Sequence, residues 1–168
     1  MEARNNLKNF LLKLFVVLFI YLLDRISKIY ILHLSKNNFE NELFVSKYVN
    51  ITPLWNSGIS FGIFSLEEGK LYHLLTVLIG IIILVLIIMA VKNQGFKKIL
   101  LLIIIGGALG NLHDRIQFNA VLDFIDFHVG NFHWFIFNVS DIFITLGVIG
   151  MIILELTDNK KENQIKNE

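Results

Sequence analysis

Several ionisable side chains stand inside or beside long apolar stretches of this sequence. Carrying a charge into lipid is expensive, so such groups are functional candidates by default. The residues concerned are Asp24, Arg25, Lys28, Asp114, Arg115, Asp123, Asp126 and Asp141. They stand at one end of their apolar runs or in the connection between the last two, and we therefore expect them to gather at one depth.

Asp123 and Asp141 are the members of this set best placed to act as a catalytic pair. A predicted hairpin between them returns the chain, so their carboxylates can face each other across a short gap. Two close carboxylates cannot both ionise cheaply, and one of them holds a proton near neutral pH. The ionised member can take a proton from water while the protonated member polarises a peptide carbonyl. Asp126, on the same predicted strand as Asp123, should point elsewhere and is left out of the pair.

Other protease chemistries are not expected. The sequence has no cysteine and no His-Glu-x-x-His zinc motif, and we expect no serine nucleophile elbow. These exclusions favour aspartyl hydrolysis among the peptidase mechanisms. A small proton-coupled transporter also uses acids within the membrane, and a non-enzymatic membrane scaffold would not depend on either aspartate. Residue periodicity alone does not separate these three classes of protein.

Each acid also has a purely structural interpretation when it is taken alone. Asp24 and Lys28 are four residues apart and can pair along one helix face. Asp114 and Arg115 end an apolar run and can simply meet interfacial water. Asp141 could cap the start of the fourth span, and Asn138 could do so as well.

The composition points to a membrane protein. The chain has 168 residues, of which 55% are hydrophobic and 17% charged, whereas soluble domains have about 45–50% and about 25%. A net charge of +1 gives no reason to expect a nucleic-acid partner. About 20 apolar residues are needed for one transmembrane helix. We predict a single all-α polytopic membrane domain with four transmembrane helices, at residues 10–32, 71–91, 98–114 and 136–156.

The distribution of Lys and Arg predicts the orientation of the four spans. Basic residues precede the first span, fill the link between the second and third spans, and populate the C-terminal tail at 157–168. By the positive-inside rule both termini should therefore be cytoplasmic, and segments 33–70 and 115–135 should face outward. The first span is not followed by a small-residue cleavage site and is read as an uncleaved helix.

The outward segments predict a small β element. Residues 44–52 are rich in β-branched and aromatic side chains, and we expect this strand to stop at Pro53. Asn56-Ser-Gly58 is typical of a turn, and Gly130-Asn131 between aromatic residues indicates a two-residue hairpin. The aromatic residues Trp55, Phe61, Phe64 and Trp134 would lie at the membrane interface. Ordinary connecting loops with an aromatic belt are the alternative interpretation.

Five segments, in order, resemble the motif set of the lipoprotein signal peptidases (signal peptidase II). They are Asp24-Arg-Ile-Ser-Lys28, Asn56-Ser-Gly-Ile-Ser-Phe61, Gly106-Gly-Ala-Leu-Gly-Asn-Leu-His-Asp-Arg115, Val121-Leu-Asp-Phe-Ile125 and Phe137-Asn-Val-Ser-Asp141. Each motif is weak alone, but their order and spacing fit over essentially the whole chain.

The resemblance implies an enzyme of the bacterial cytoplasmic membrane, working as a monomer without metal or other cofactor. Enzymes of this family remove signal peptides from diacylglyceryl-modified prolipoproteins, cutting on the amino side of the lipidated cysteine. Membrane lipids would surround the enzyme, and its site would lie near the outer leaflet. The family's catalytic aspartates match Asp123 and Asp141. Its supporting positions match Asp24, Lys28, Asn56, Gly58, Gly107, Asn111, Arg115 and Asn138.

The supporting residues also allow a physical interpretation. Asn56, Asn111 and Asn138 carry amides that both donate and accept hydrogen bonds, which suits holding a substrate backbone, orienting an aspartate, or satisfying loop carbonyls. The glycines at 106, 107 and 110 permit close helix approach. Arg115 could pair with a carboxylate or bind a lipid phosphate, and the pairing role is favoured.

Two positions depart from the family pattern. Ser140 stands where alanine is usual, and its hydroxyl could hydrogen-bond to Asp141. Arg25 stands where glutamine is frequent, and we expect it to extend to lipid headgroups. The histidines are interpreted as incidental, because the spacing of His33, His73, His128 and His133 indicates no metal site.

Overall fold

The protein is described by a computed structural model over residues 2–37, 43–58 and 68–166. It is mostly helical with one small sheet, as the composition and the outward segments predict. The elements in chain order are α1 (Glu2–Asn37), β1 (Val49–Asn56), α2 (Glu68–Lys92), α3 (Gly95–Phe118), β2 (Val121–Val129), β3 (Phe132–Phe137) and α4 (Val139–Lys166). Phe61 and Phe64, assigned above to the aromatic belt, lie outside the described residues.

Among the described residues, three helical stretches are long and apolar enough to cross a membrane: Tyr72–Lys92, Gly95–Phe118 and Val139–Asp158. Large apolar side chains on these helices are widely exposed, and Leu74 and Val91 on α2 are examples. A contiguous apolar surface of this kind is normal against lipid and unusual against water. Helix α1 is not among the three, and it carries ionic side chains at Lys13, Asp24, Arg25 and Lys28.

Helix α3 is the central element, since it packs against α1, α2 and α4. A Cβ atom on Gly107 would lie 2.6 Å from the carbonyl oxygen of Ser140 in α4, and one on Gly106 would lie 3.0 Å from Cβ of Ile20 in α1. The predicted role of these glycines in close helix approach is confirmed. The backbone of α3 is thereby brought next to both neighbouring helices.

The sheet is antiparallel with strand order β1-β2-β3. The predicted hairpin at Gly130-Asn131 is confirmed, and Gly130 has a φ of 60° at the first central position of the turn, where glycine is favoured in type II′ turns. The expected strand break at Pro53 is wrong. Strand β1 continues to Asn56, and a register shift between Ile51 and Leu54 accommodates the proline, as bulges commonly do.

The helix ends differ from the ends of the predicted apolar spans. Residues 136 and 137 belong to β3, α3 continues to Phe118, and α4 continues to Lys166 through most of the predicted tail. Backbone hydrogen bonding allows a helix to extend beyond its apolar stretch, so these bounds do not fix where a membrane would begin. The span positions therefore stay predictions.

Candidate active site

The carboxylates of Asp123 and Asp141 line the same cleft. Asp123 lies on β2 and is buried, and Asp141 lies in the first turn of α4. Strand β3 returns the chain between them, as the predicted hairpin requires. The cleft has a volume of about 450 Å³, and Asn56 and Thr145 are its other polar lining residues. The rest of the lining is apolar and comprises Phe135, Ile136, Phe137, Ile142 and Leu146.

Asn138 connects the two carboxylates. Its Nδ2 donates to Oδ1 of Asp123 at 2.6 Å. Its backbone N–H donates to Oδ2 of Asp141 at 3.0 Å, and its own Oδ1 accepts from the Asp141 backbone N–H at 3.1 Å. This reciprocal pair is a capping box at the start of α4. The same residues therefore begin the helix and orient the site.

Asn56 and Asn111 each hold one of the carboxylates. Asn56 Nδ2 donates to Oδ2 of Asp123 at 2.9 Å, and Asn111 Nδ2 donates to Oδ1 of Asp141 at 2.7 Å. The sequence allowed these amides to hold a substrate backbone, orient an aspartate or satisfy loop carbonyls. In the structure both amides orient an aspartate. Asn56 Oδ1 also accepts from the backbone N–H of Gly58 at 2.8 Å, which confirms the predicted turn. Gly58 has a φ of 75°, a conformation that favours glycine.

The pKa of Asp123 lies above its ordinary value. Burial is the largest cause, because it penalises the charged form. The hydrogen bonds from Asn56 and Asn138 act in the opposite direction, and the negative charge of Asp141 raises the pKa again. The surroundings of Asp123 therefore favour its protonated form.

Next to the cleft lies a buried ion network that joins α1 to α3. Lys28 Nζ lies 3.0 Å from Oδ2 of Asp24 and 2.7 Å from Oδ2 of Asp114. Arg25 contacts the same two carboxylates at 2.8 Å and 2.6 Å. The predicted Asp24–Lys28 pair is confirmed. The expectations that Arg25 extends to headgroups and that Asp114 meets interfacial water are wrong, since Asp114 is buried and the partly buried Arg25 pairs with it in this network.

The network also holds the elements that carry the cleft. Asp24 Oδ1 accepts the backbone N–H of Ser140 at 3.0 Å, which ties α1 to the start of α4. Asp114 Oδ2 accepts the backbone N–H of Leu122 at 3.3 Å, next to Asp123 on β2. Lys28 Nζ donates to Oδ1 of Asn111 at 3.2 Å. The ionic residues thus position both carboxylates of the cleft through one or two intervening groups.

Two further predictions about single side chains are wrong or differ from the observed contacts. The Ser140 hydroxyl does not bond to Asp141, because its buried Oγ has no hydrogen-bond partner among the described residues. It lies instead against Gly110 of α3. Arg115 Nη1 donates to the backbone carbonyl of Asn111 at 3.4 Å. Within the described part of the chain, Arg115 makes no hydrogen bond to a carboxylate.

Asp114 and Arg25 were missed as supporting residues. Each immediately adjoins a predicted supporting position in sequence, Arg115 and Asp24 respectively. Adjacent residues on a helix point about 100° apart, so membership of one network is not evident from their spacing. The signal that could have found them is charge balance. Two acids within apolar helices need two nearby bases, and Arg25 and Lys28 are the nearest in sequence to Asp24.

The expected absence of a serine nucleophile motif is also corrected. Gly58-Ile-Ser60-Phe-Gly62 matches the Gly-x-Ser-x-Gly pattern. A nucleophile elbow needs a strand that turns directly into a helix. Here β1 ends at Asn56 and α2 begins only at Glu68, and residues 59–67, including Ser60, lie outside the described part of the chain. Strand β1 therefore does not turn directly into α2.

Comparisons with known proteins identify the family. The family described as signal peptidase (SPase) II matches residues 16–157. The lipoprotein signal peptidase of Pelagibacter ubique is 44% identical over 162 residues, covering 96% of this chain and 98% of the relative. That of Anaplasma phagocytophilum is 43% identical, covering 84% and 89%.

Solved structures give the same result for the fold. One bacterial membrane enzyme solved at 2.3 Å superposes with a TM-score of 0.70 at 28% identity, covering 89% of this chain and 90% of that one. Another, solved at 1.9 Å, superposes with a TM-score of 0.71 at 27% identity, covering 87% and 93%. Family, relatives and fold agree over most of the chain, which therefore belongs to the signal peptidase II family.

Proposed function

We propose that this protein is an intramembrane aspartyl endopeptidase that removes signal peptides from diacylglyceryl-modified bacterial prolipoproteins. The cut would lie on the amino side of the lipidated cysteine. The observation that carries the proposal is the convergence of Asp123 and Asp141 on one cleft, with Asn138 bonded to both. The relatives named lipoprotein signal peptidase supply the substrate class.

The surroundings of the two carboxylates support different roles for them in hydrolysis. Asp123, with its raised pKa, would carry the proton and hydrogen-bond to the scissile carbonyl oxygen. Asp141 would take a proton from water, whose oxygen attacks the carbonyl carbon. The tetrahedral intermediate would then collapse with transfer of that proton to the leaving cysteine nitrogen. The signal peptide would leave with a new C-terminal carboxyl group.

The shape of the cleft supports a lipidated substrate. Its walls are mostly apolar side chains from β3 and α4, whereas its polar side chains are Asn56, Thr145 and the two aspartates. Such a lining would accept the apolar residues of a signal peptide or part of an acyl chain, with the scissile peptide held at the polar end. Lipid would enter sideways from the bilayer, and the sheet would limit access of water.

We also propose four transmembrane spans, with α1 as the first. The ionic residues of α1 weigh against insertion when they are taken singly. In the fold, however, Arg25 and Lys28 meet Asp24 and Asp114, so the buried network carries no net charge. An even number of spans would place both termini in the cytoplasm and the cleft near the outer leaflet. One chain supplies every group of the site, so a monomer would suffice.

Cleavage of a defined substrate tests the activity and its specificity. The purified protein in detergent would be incubated with a diacylglyceryl-modified prolipoprotein and with its unmodified form. We expect cleavage of the modified form only, with mass spectrometry showing the lipidated cysteine as the new N-terminal residue. Equal cleavage of both forms, or a cut at another bond, would contradict the proposed specificity.

A further inference from the structure

A second cluster of chemically active side chains lies on the sheet, apart from the aspartate pair. Its members are Asp126 and His128 on β2 and His133 on β3. Residues 126 and 128 share one face of β2, because side chains alternate along a strand, whereas Asp123 belongs to the other face. The cluster is therefore separate from the cleft.

The hairpin brings the three side chains together. His128 and His133 are direct partners in the register of β2 and β3, one pair in from the turn. Their rings stack with centroids 5.2 Å apart, and Nδ1 of His133 lies 2.7 Å from Oδ2 of Asp126. One ligand atom from each residue can be chosen so that all three lie within 4.8 Å of one another. The cross-strand pair His128 and His133, together with Asp126 two positions before His128 on β2, therefore forms a triangle of possible metal ligands.

Two atoms of the cluster are buried without a partner. Asp126 and His128 are 4% and 7% exposed, and Oδ1 of Asp126 and Nδ1 of His128 have no hydrogen bond to any described residue. A buried polar atom without a partner costs about 1–3 kcal/mol. This is an independent sign that something else satisfies these atoms. His133 is half-exposed, which leaves a path from solvent into the triangle.

We propose that Asp126, His128 and His133 bind one borderline divalent transition-metal ion such as Zn²⁺. Two imidazole nitrogens and one carboxylate oxygen are a donor set that suits Zn²⁺, with water completing a tetrahedral coordination. Hard cations such as Mg²⁺ prefer oxygen ligands and suit this set poorly. This proposal departs from the expectation from sequence that the histidines are incidental.

The bound ion would fasten β2 to β3. Its ligands come from both strands of the hairpin, so binding would stabilise the folded sheet relative to any state in which the strands separate. The ion lies on the opposite face of β2 from Asp123 and takes no part in peptide hydrolysis. In its absence the hydrogen bond between His133 and Asp126 holds the two strands more weakly.

Metal binding by the intact protein tests this directly. Protein freed of any affinity tag would be stripped with chelator in detergent and titrated with Zn²⁺ or Mg²⁺ by calorimetry, with elemental analysis after gel filtration. We expect one Zn²⁺ per chain, no comparable binding of Mg²⁺, and a higher unfolding temperature with Zn²⁺. His133→Asn should weaken Zn²⁺ binding by at least roughly tenfold and abolish the temperature shift.

The matched control is His33→Asn, an exposed histidine on α1 outside the cluster. It should bind Zn²⁺ as the unaltered protein does. Because the His133 side chain is half-exposed, His133→Asn should fold normally, and His128→Gln provides a second ligand variant. Absence of saturable Zn²⁺ binding, or unchanged binding in both ligand variants, would overturn the proposal. Either result is independent of whether the protein cleaves prolipoproteins.

Discussion

Asn138 Nδ2 lies 2.6 Å from the carboxylate oxygen Oδ1 of Asp123. Asn138 is completely buried, and it is also the residue whose side chain caps α4 through the backbone N–H of Asp141. One asparagine therefore sets both where the helix begins and how the carboxyl group on the neighbouring strand is oriented.

The two roles of Asn138 can be separated by substitution. Serine is as good an N-cap as asparagine, but it lacks the amide donor that reaches Asp123. We expect Asn138→Ser to lower kcat by roughly 2- to 10-fold, since a hydrogen bond to a neutral carboxyl group contributes about 0.5–1.5 kcal/mol. Its unfolding temperature should fall less than that of Asn138→Ala, which loses the cap as well. Unchanged kcat in Asn138→Ser would contradict the role assigned to the amide.

The raised pKa of Asp123 predicts a pH effect on stability. The folded protein holds the Asp123 proton more tightly than the unfolded chain does. Between the ordinary carboxyl pKa and the raised one, the free energy of unfolding should therefore fall as pH rises. The Asp123→Asn side chain stays neutral, so this variant should lack the fall in the free energy of unfolding that comes from Asp123. Thermal unfolding of both proteins across this range should show the variant gaining relative stability as pH rises, and parallel curves would contradict the shift.

The buried network predicts a large cost for removing one charge. Lys28→Met would leave Asp24 and Asp114 with only Arg25 as a cationic partner, and breaking a buried pair in this way costs about 3–5 kcal/mol. The double change Asp24→Asn with Lys28→Met restores charge balance and should recover part of the loss.

Lys97→Met is the matched control for the network. Lys97 forms a surface pair with Glu155 at 3.4 Å, and such a pair contributes about 0–1 kcal/mol. Chemical unfolding in detergent would rank the three proteins. A Lys28→Met protein as stable as Lys97→Met would contradict a structural role for the network.

Close packing of α3 predicts opposite results for two Gly→Ala substitutions. A Cβ at Gly107 would lie 2.6 Å from a backbone oxygen of α4, whereas one at Gly80 in α2 meets nothing within 4 Å. We expect Gly107→Ala to destabilise the fold by about 1–3 kcal/mol. Gly80→Ala should be neutral or stabilising by up to about 1 kcal/mol, because alanine favours helix. Equal unfolding temperatures for the two variants would contradict the packing.

The local features of this fold follow from sequence better than its contacts do. Apolar length predicts the helices of α2 and α4, and Gly130-Asn131 predicts the hairpin, because both depend on nearby residues. Arg25 shows the limit. Its basic side chain at the end of an apolar run is equally suited to a headgroup or to a buried acid. The packing of α1 on α3 decides between these two partners, because it places Asp114 Oδ1 2.6 Å from Nη1 of Arg25.

In the candidate site, too, the local features could be predicted from sequence and the contacts between distant residues could not. The convergence of Asp123 and Asp141 could be predicted from the hairpin between them, but the roles of the three asparagines could not be told apart. Their hydrogen bonds join β1, β2, α3 and α4, which are distant in sequence. His128 and His133 could have been placed opposite each other from the same hairpin. The two histidines are five residues apart along the chain but direct partners across the strands, so their spacing in the sequence alone does not indicate the pair.

The central claim is that Asp123 and Asp141 act together in hydrolysis. The most direct test measures single-turnover cleavage of a diacylglyceryl-modified prolipoprotein by Asp123→Asn, Asp141→Asn and the exposed-acid control Asp158→Asn, with folding of each checked by gel filtration and thermal unfolding. We predict that both cleft variants fold but do not cleave, whereas Asp158→Asn cleaves normally. Near-normal cleavage by either cleft variant would contradict the aspartate pair. The contradiction would be stronger if a Ser60→Ala variant, measured in the same way, were inactive.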